Sequence, residues 1–261
     1  FEIVADLADQ EWQAPVKAYL RNKSTSSLSW EWTVKAPNRE GANGAIIKDV
    51  NKSDTEINFS HPGTYEILLT ANNNKTPVKI RQQIVIHHNT NLLSFSNIAL
   101  GINTSRQHPV FFSTKLRRGF KASDDLSKAG ADIDIVYYGH SQHFDTNRFL
   151  SPAGLGIRQS IFDEIPDAQP AAIANVQRST QGTLSASEFD GMQNDDLLQN
   201  ILIEPHDPKP RDYFGNQSAP YVVIYTTADG RKGAIKVKKF VNEGQNSYIM
   251  VDIKVQKNPR N

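Results

Sequence analysis

Trp30-Glu31-Trp32-Thr33-Val34 alternates large apolar and polar side chains, and Tyr65-Glu66-Ile67-Leu68-Leu69-Thr70 does so again further along. A period of two puts one face of each run in a core and the other toward solvent, as a half-buried strand requires. Pro62-Gly63 stands before the second run as a turn signal: Pro presets φ, and Gly takes a positive φ at no steric cost. Val16, Ala18 and Leu20 alternate with Lys17 and Tyr19 and predict an earlier strand. Ile84-Val85-Ile86 is a β-branched run that predicts a later one. Short strands separated by turn clusters predict a β-sandwich over residues 1–88.

Pro15-Val16, Asn22-Lys23-Ser24, the Trp30-Glu31-Trp32 strand and Pro62-Gly63-Thr64-Tyr65 together resemble a PKD domain, an immunoglobulin-like sandwich. The resemblance implies a spacer or adhesion module of secreted and cell-surface proteins. The family's acidic glycine turn is replaced by Trp32-Thr33-Val34-Lys35, so no calcium site is carried over. Of Trp30 and Trp32, one is expected in the core and one half-exposed.

The chain has 261 residues, too many for one small sandwich, and suits two domains. His87-His88-Asn89-Thr90-Asn91 is a polar stretch that places the boundary, giving domains 1–88 and 89–261. The net charge of +1 argues against nucleic acid, which needs a basic face or stripe. Local basic clusters at Lys115-Arg117-Arg118-Lys121 and Lys232-Lys236-Lys238-Lys239 are expected to be solvated faces. With no cysteine, a thiol nucleophile, a disulfide framework and cysteine-ligated zinc are excluded. No apolar run is long enough to span a bilayer. The chain opens on Phe1, which a removed export segment or a trimmed expression product would explain.

The second half begins with Leu92-Leu93-Ser94-Phe95, and Phe111-Phe112 starts a strand. Ser123 to Gly130 reads as a helical turn with caps at both ends. Asp132-Ile133-Asp134-Ile135-Val136-Tyr137-Tyr138 reads as one strand with both acids on an exposed face. Ser185 and Glu188 fit a capping box, Asp195 to Leu202 continues with an apolar stripe, and the prolines of Glu204-Pro205-His206-Asp207-Pro208-Lys209-Pro210 break any helix. Tyr221 to Thr227, Gly233 to Lys238 and Tyr248 to Gln256 predict an antiparallel meander, with Asp229-Gly230 as a hairpin turn. The Asp132–Tyr138 string, Leu150-Ser151-Pro152, Tyr225 to Gly233 and Val251 to Lys257 resemble poorly characterised exported lipoproteins of Bacteroidetes-type bacteria. That resemblance implies a location rather than an activity.

Few constellations suit chemistry. His140 and His143 could share a face of a helical turn, but they follow a strand beside Gly139 and have only Asp145 nearby, so no metal site is expected. Asp132 and Asp134, two apart on one strand, do not span a sugar as a glycosidase pair must. Ser141 beside these histidines lacks a nucleophile-elbow setting. Gly154-Leu155-Gly156 has no strand-to-helix context for a phosphate loop. Aromatic residues remain: Tyr138, Phe144 and Phe149 around the His loop, and Tyr213 and Phe214 in a proline-flanked loop. Exposed rings beside polar groups suit carbohydrate or other amphipathic ligands.

The expected fold is mostly β: an immunoglobulin-like, PKD-like sandwich, then a larger β-rich α+β domain ending in the antiparallel meander. The expected function is non-enzymatic binding of glycan or polysaccharide at the cell surface or in the periplasm, without a cofactor. Membrane attachment would be peripheral, through a removed N-terminal lipid anchor. The alternatives are a binder of a lipid or other small hydrophobic ligand, and a hydrolase acting on polymers.

Overall fold

A computed structural model describes residues 1–6, 12–36, 44–74, 76–154, 162–178, 182–203 and 213–260. The chain is mostly β and divides into two compact units, Phe1–Thr90 and Asn91–Asn261. The division falls inside the polar stretch His87 to Asn91. The prolines of Glu204 to Pro210, and Leu155 and Gly156, lie outside the described residues.

The first unit has seven strands: β1 (Glu2–Ala5), β2 (Val16–Arg21), β3 (Ser29–Lys35), β4 (Ala45–Ile47), β5 (Thr55–Phe59), β6 (Gly63–Asn72) and β7 (Val78–Ile86). They form two antiparallel sheets, in the orders β1-β2-β5-β4 and β3-β6-β7. This four-plus-three strand order is the one an immunoglobulin constant-type sandwich uses. Ala18 and Leu20 of β2, with Ile57 and Phe59 of β5, face Trp32, Ile67 and Leu69 of β3 and β6 in one core. The alternation in the sequence therefore reports the buried face directly. Trp32 is the core tryptophan, 1% exposed, and its indole donates to the Lys52 carbonyl at 2.8 Å. Trp30 is half-buried at the edge of the same core. The Tyr65 hydroxyl donates to the carbonyls of His61 (2.8 Å) and Gly44 (3.1 Å). The ring thus pins the turn just before its own strand, a corner that recurs in immunoglobulin-like sandwiches.

The second unit is itself a stack of two antiparallel sheets. The larger joins β13 (Ala172–Ala174), β14 (Tyr221–Thr226), β15 (Lys232–Val241), β16 (Tyr248–Gln256) and β8 (Leu92–Gly101), in that order. The smaller joins β10 (Arg118–Phe120), β9 (Phe111–Ser113), β11 (Ile135–Tyr138) and β12 (Arg148–Leu150). Between them lies a core that includes Phe112, Ile135, Tyr137, Val223, Ile235 and Ile253. The outer faces are covered too. Val222, Ile224 and Ala234 of the larger sheet pack under Phe189 and Leu198 of helices α1 (Ala186–Gly191) and α2 (Asp196–Gln199). Phe111 and Val136 of the smaller sheet pack under Leu126, Phe162 and Ile165. Strands buried on both faces need not alternate, which is why Tyr221 to Tyr225 reads as one apolar run. The predicted meander is present as β14-β15-β16, and the predicted capping box at Ser185 and Glu188 starts α1. No helix among the described residues is long and apolar enough to cross a membrane.

Three local expectations are corrected. Ser123 to Gly130 is a series of turns: the Asp124 and Asp125 side chains accept from the backbone N–H groups of Lys121 and Ser127 and hold the chain out of a helix. The Asp132–Tyr138 string starts as a 3-10 turn (Gly130–Asp132), and only Ile135–Tyr138 is strand. Lys236 is not on a solvated face. It is buried, paired with Asp190 and Asp252, and its ammonium lies 5.6 Å from the centre of the Phe189 ring.

Candidate functional site

The loop after β11 is built around a residue with no sequence signal, Asn147. Its buried side chain accepts from the His140 backbone N–H at 2.7 Å and donates to the Tyr137 hydroxyl at 2.8 Å. Its backbone carbonyl accepts from the Phe214 N–H at 2.9 Å. Gly139 is required here: a Cβ would come within 2.7 Å of the Tyr137 hydroxyl and 2.9 Å of the Asn147 amide. Burial pushes the Tyr137 phenol far above its ordinary value, so it stays a neutral hydrogen-bonding group. Asn147 therefore ties β11, the His loop and the segment around Phe214 into one body.

That body splits the predicted aromatic residues into two groups. Phe149 and Phe214 are 0% exposed and belong to the core between the sheets. Phe214 packs against Tyr221, Phe144, Phe149 and Tyr137 at centroid distances of 5.3, 5.5, 5.6 and 6.4 Å. The expectation of exposed rings is therefore corrected for these two: a flanking loop of polar composition conceals an anchor that fills the sheet–sheet interface. Phe144 is partly buried on the same core, against Phe240 at 5.1 Å.

Tyr138 and Tyr213 do come together, through a residue the sequence did not single out. The Arg148 guanidinium lies 4.6 Å from the Tyr213 ring centre and 5.2 Å from that of Tyr138. Stacking of a planar guanidinium on aromatic faces is favourable by about 0.5–2 kcal/mol. Tyr213 is 44% exposed, and the exposed His140 ring meets Tyr138 edge-on at 5.1 Å. The result is a short surface strip, Tyr213–Arg148–Tyr138–His140, with rings that can face an apolar sugar face and polar edges that can hydrogen-bond. The β11–β12 pairing of Tyr138 with Arg148 signals this neighbourhood only once register is known. His140 and His143 gather no metal set: among the described residues no three His, Cys, Asp or Glu side chains could hold an ion.

Asp132 and Asp134, expected on an exposed strand face, are instead parts of a charged network. Asp134 is buried, with its Oδ2 accepting from the Thr114 N–H at 2.8 Å and from the Thr114 hydroxyl. Arg231, also buried, donates through Nη1 to Thr114 Oγ1 at 3.0 Å and through Nε to Asp229 Oδ2 at 2.8 Å. Asp132 pairs with Lys115 at 2.6 Å, which raises the Lys115 pKa. Burial pushes the Asp134 carboxyl up, against the opposing pull of the Thr114 hydrogen bond and Arg231. Burial pushes Asp229 up too, but hydrogen bonds from Thr227 and Arg231 outweigh it and hold that carboxyl low. The Asp229-Gly230 dipeptide makes its turn as predicted, within a longer loop from Thr227 to Arg231, and Gly230 supplies the positive φ of 84°.

No family model matches the chain, and neither a curated protein nor a solved structure does.

Proposed function

We propose that the chain is an exported, non-enzymatic binding protein of the cell surface or periplasm. Its larger unit binds glycan or polysaccharide, and its PKD-like sandwich serves as a spacer. The observation that carries the reading is the Tyr213–Arg148–Tyr138 stack, which holds an exposed ring beside a planar cation. Such a strip can lie along a sugar chain: ring faces meet the C–H face of a pyranose, and the guanidinium and phenol edges meet its hydroxyls. Phe149 and Phe214, buried and packed on each other at 5.6 Å, are not part of this strip. The test is retention of the whole chain in gels cast with a panel of soluble polysaccharides. At least one polymer should retard it, and Tyr213→Ala should abolish the retardation. An unretarded chain, or equal retardation of the Tyr213→Ala variant, would sink the reading.

A hydrolase acting on the same polymers is favoured by a different observation. Asp134 and Asp229 are shifted in opposite directions around Arg231, and split carboxylates are how one site holds an acid and a base together. Release of reducing ends from a retained polymer, lost in Asp229→Asn, would establish this reading over the first.

A further inference from the structure

A pocket of about 250 Å³ opens over the charged network, where the turn before β11 meets the β14–β15 hairpin. That is below the roughly 300–1,000 Å³ of drug-sized sites, so its occupant is small. Its charged lining is Asp132, Asp134 and Asp229 against Lys115 and Arg231, three negative and two positive, a formal balance of −1. Two cations among the carboxylates disfavour a metal ion, and the negative balance disfavours an anion. Ile133, Pro170 and Ala171 add apolar wall.

One pair of atoms on the pocket floor is left over from the network. Among the described residues, Arg231 donates hydrogen bonds through Nε and Nη1 but none through Nη2. Asp134 accepts through Oδ2, and its Oδ1 accepts none. These two atoms lie 3.6 Å apart, an ion pair too long for a hydrogen bond. Both side chains are about nine-tenths buried, yet these two atoms are not sealed in, so they can meet a group that enters the pocket. A hydroxyl satisfies both at once, because it can accept from Nη2 and donate to Oδ1.

We infer that this pocket binds a single neutral polyhydroxylated ring, a sugar unit, with one hydroxyl bridging Arg231 Nη2 and Asp134 Oδ1. Further hydroxyls reach Lys115, Asp132 and Asp229 at the rim, and the C–H face of the ring lies on Ile133 and Ala171. The inference rests on the glycan reading for its ligand class but not for its place, because neither Tyr138 nor Tyr213 lines the pocket.

The test is an amide NMR titration of the whole chain with methyl glucoside, methyl galactoside, methyl mannoside and inositol. Cyclohexanol, a ring of similar size with one hydroxyl, is the control. At least one polyol should give saturable shifts at Thr114, Asp134 and Arg231, with cyclohexanol binding about tenfold more weakly or worse. Ala131→Trp and Ala228→Trp, at exposed rim positions outside the network, should each weaken the polyol by about tenfold or more without altering the thermal midpoint. Tyr213→Ala should leave these shifts unchanged. No polyol shift at the pocket, equal shifts with cyclohexanol, or unaltered binding in both folded tryptophan variants would overturn the inference. Shifts confined to Tyr138 and Tyr213 would overturn it while supporting the surface strip. Pocket shifts in a chain that no polysaccharide retards would uphold the pocket and remove the strip.

Discussion

The carboxylate of Asp195 and the side-chain amide of Asn91, 104 residues apart in sequence, meet at 2.8 Å inside the second unit. The same oxygen accepts from the Gln256 amide at 2.8 Å, and the other lies 2.6 Å from the Arg260 guanidinium. Asn91 also exchanges hydrogen bonds with the Asn258 backbone, at 2.9 and 3.0 Å. One fully buried acid before α2 thus fastens the first residue of the unit to its last strand and tail.

Removing that acid takes one acceptor from the buried amides of Asn91, which keeps the Asn258 carbonyl, and Gln256, and from the half-exposed Arg260 guanidinium. Each buried hydrogen bond lost this way costs about 1–3 kcal/mol, so Asp195→Ala should destabilise the second unit by about 2–5 kcal/mol. Asp195→Asn keeps one acceptor oxygen and should cost less. Urea unfolding followed by tyrosine near-ultraviolet dichroism measures both. A loss below about 1 kcal/mol for the alanine variant would show that water replaces the carboxylate.

The three tryptophans, Trp12, Trp30 and Trp32, all lie in the first unit, so tryptophan fluorescence reports that unit selectively. Trp32→Ala should lower its stability by about 3–5 kcal/mol, as deletion of a buried aromatic ring does. Trp30→Ala, at a half-buried position, should cost clearly less. Tyr65→Phe deletes only the hydroxyl that bonds Gly44 and His61, and should cost about 1–2 kcal/mol. Equal losses at Trp30 and Trp32 would contradict the assignment of Trp32 as the core ring. Residues 1–90 expressed alone should also unfold cooperatively by the same fluorescence.

Acid–base behaviour around Arg231 should show two opposite signs. The folded chain holds the Asp134 proton at pH values where the unfolded chain has released it. Stability from this group is full below the ordinary aspartate value of about 4 and falls as pH rises through the higher folded value. Asp229 behaves the other way: its contribution is present above about 4 and is lost as pH falls through its lower folded value. Carboxyl carbon NMR should find Asp134 titrating above Asp229. The reverse order would contradict the burial argument, and Asp134→Asn should remove the decline with rising pH.

How much of this was legible in the sequence follows from which faces are wet. β3 and β6 have one buried face each, so their alternation could be read, and with it the β-rich character of the first unit. Ser185 and Glu188 were legible because a capping box is a local device. Asp134 was misread because alternation with isoleucine looks like a wet face. The pairing that buries it comes from Thr114 and Arg231, 20 residues before it and 97 after. Asn147 and Arg148 carried no signal at all, since an asparagine in a polar loop and an arginine on a short strand acquire their roles only from tertiary neighbours. The polar flanks of Phe214 suggest an exposed ring, whereas its backbone N–H is held by the Asn147 carbonyl and its ring is fully buried.

Tyr213 and Phe214 are adjacent in sequence but should behave as opposites. Phe214 is fully buried among four aromatic rings, and Phe214→Ala should destabilise the second unit by about 3–5 kcal/mol. Tyr213 rests on Arg148 at the surface, and Tyr213→Ala should change stability by no more than about 1 kcal/mol. In polysaccharide retention the order reverses among folded variants: Tyr213→Ala should lose binding, whereas Phe214→Leu, which keeps an apolar core, should retain it. Calorimetric unfolding and affinity gels on the two variants give the comparison. A Tyr213→Ala variant that binds normally but melts early would make that tyrosine a packing residue and leave the strip without its exposed ring.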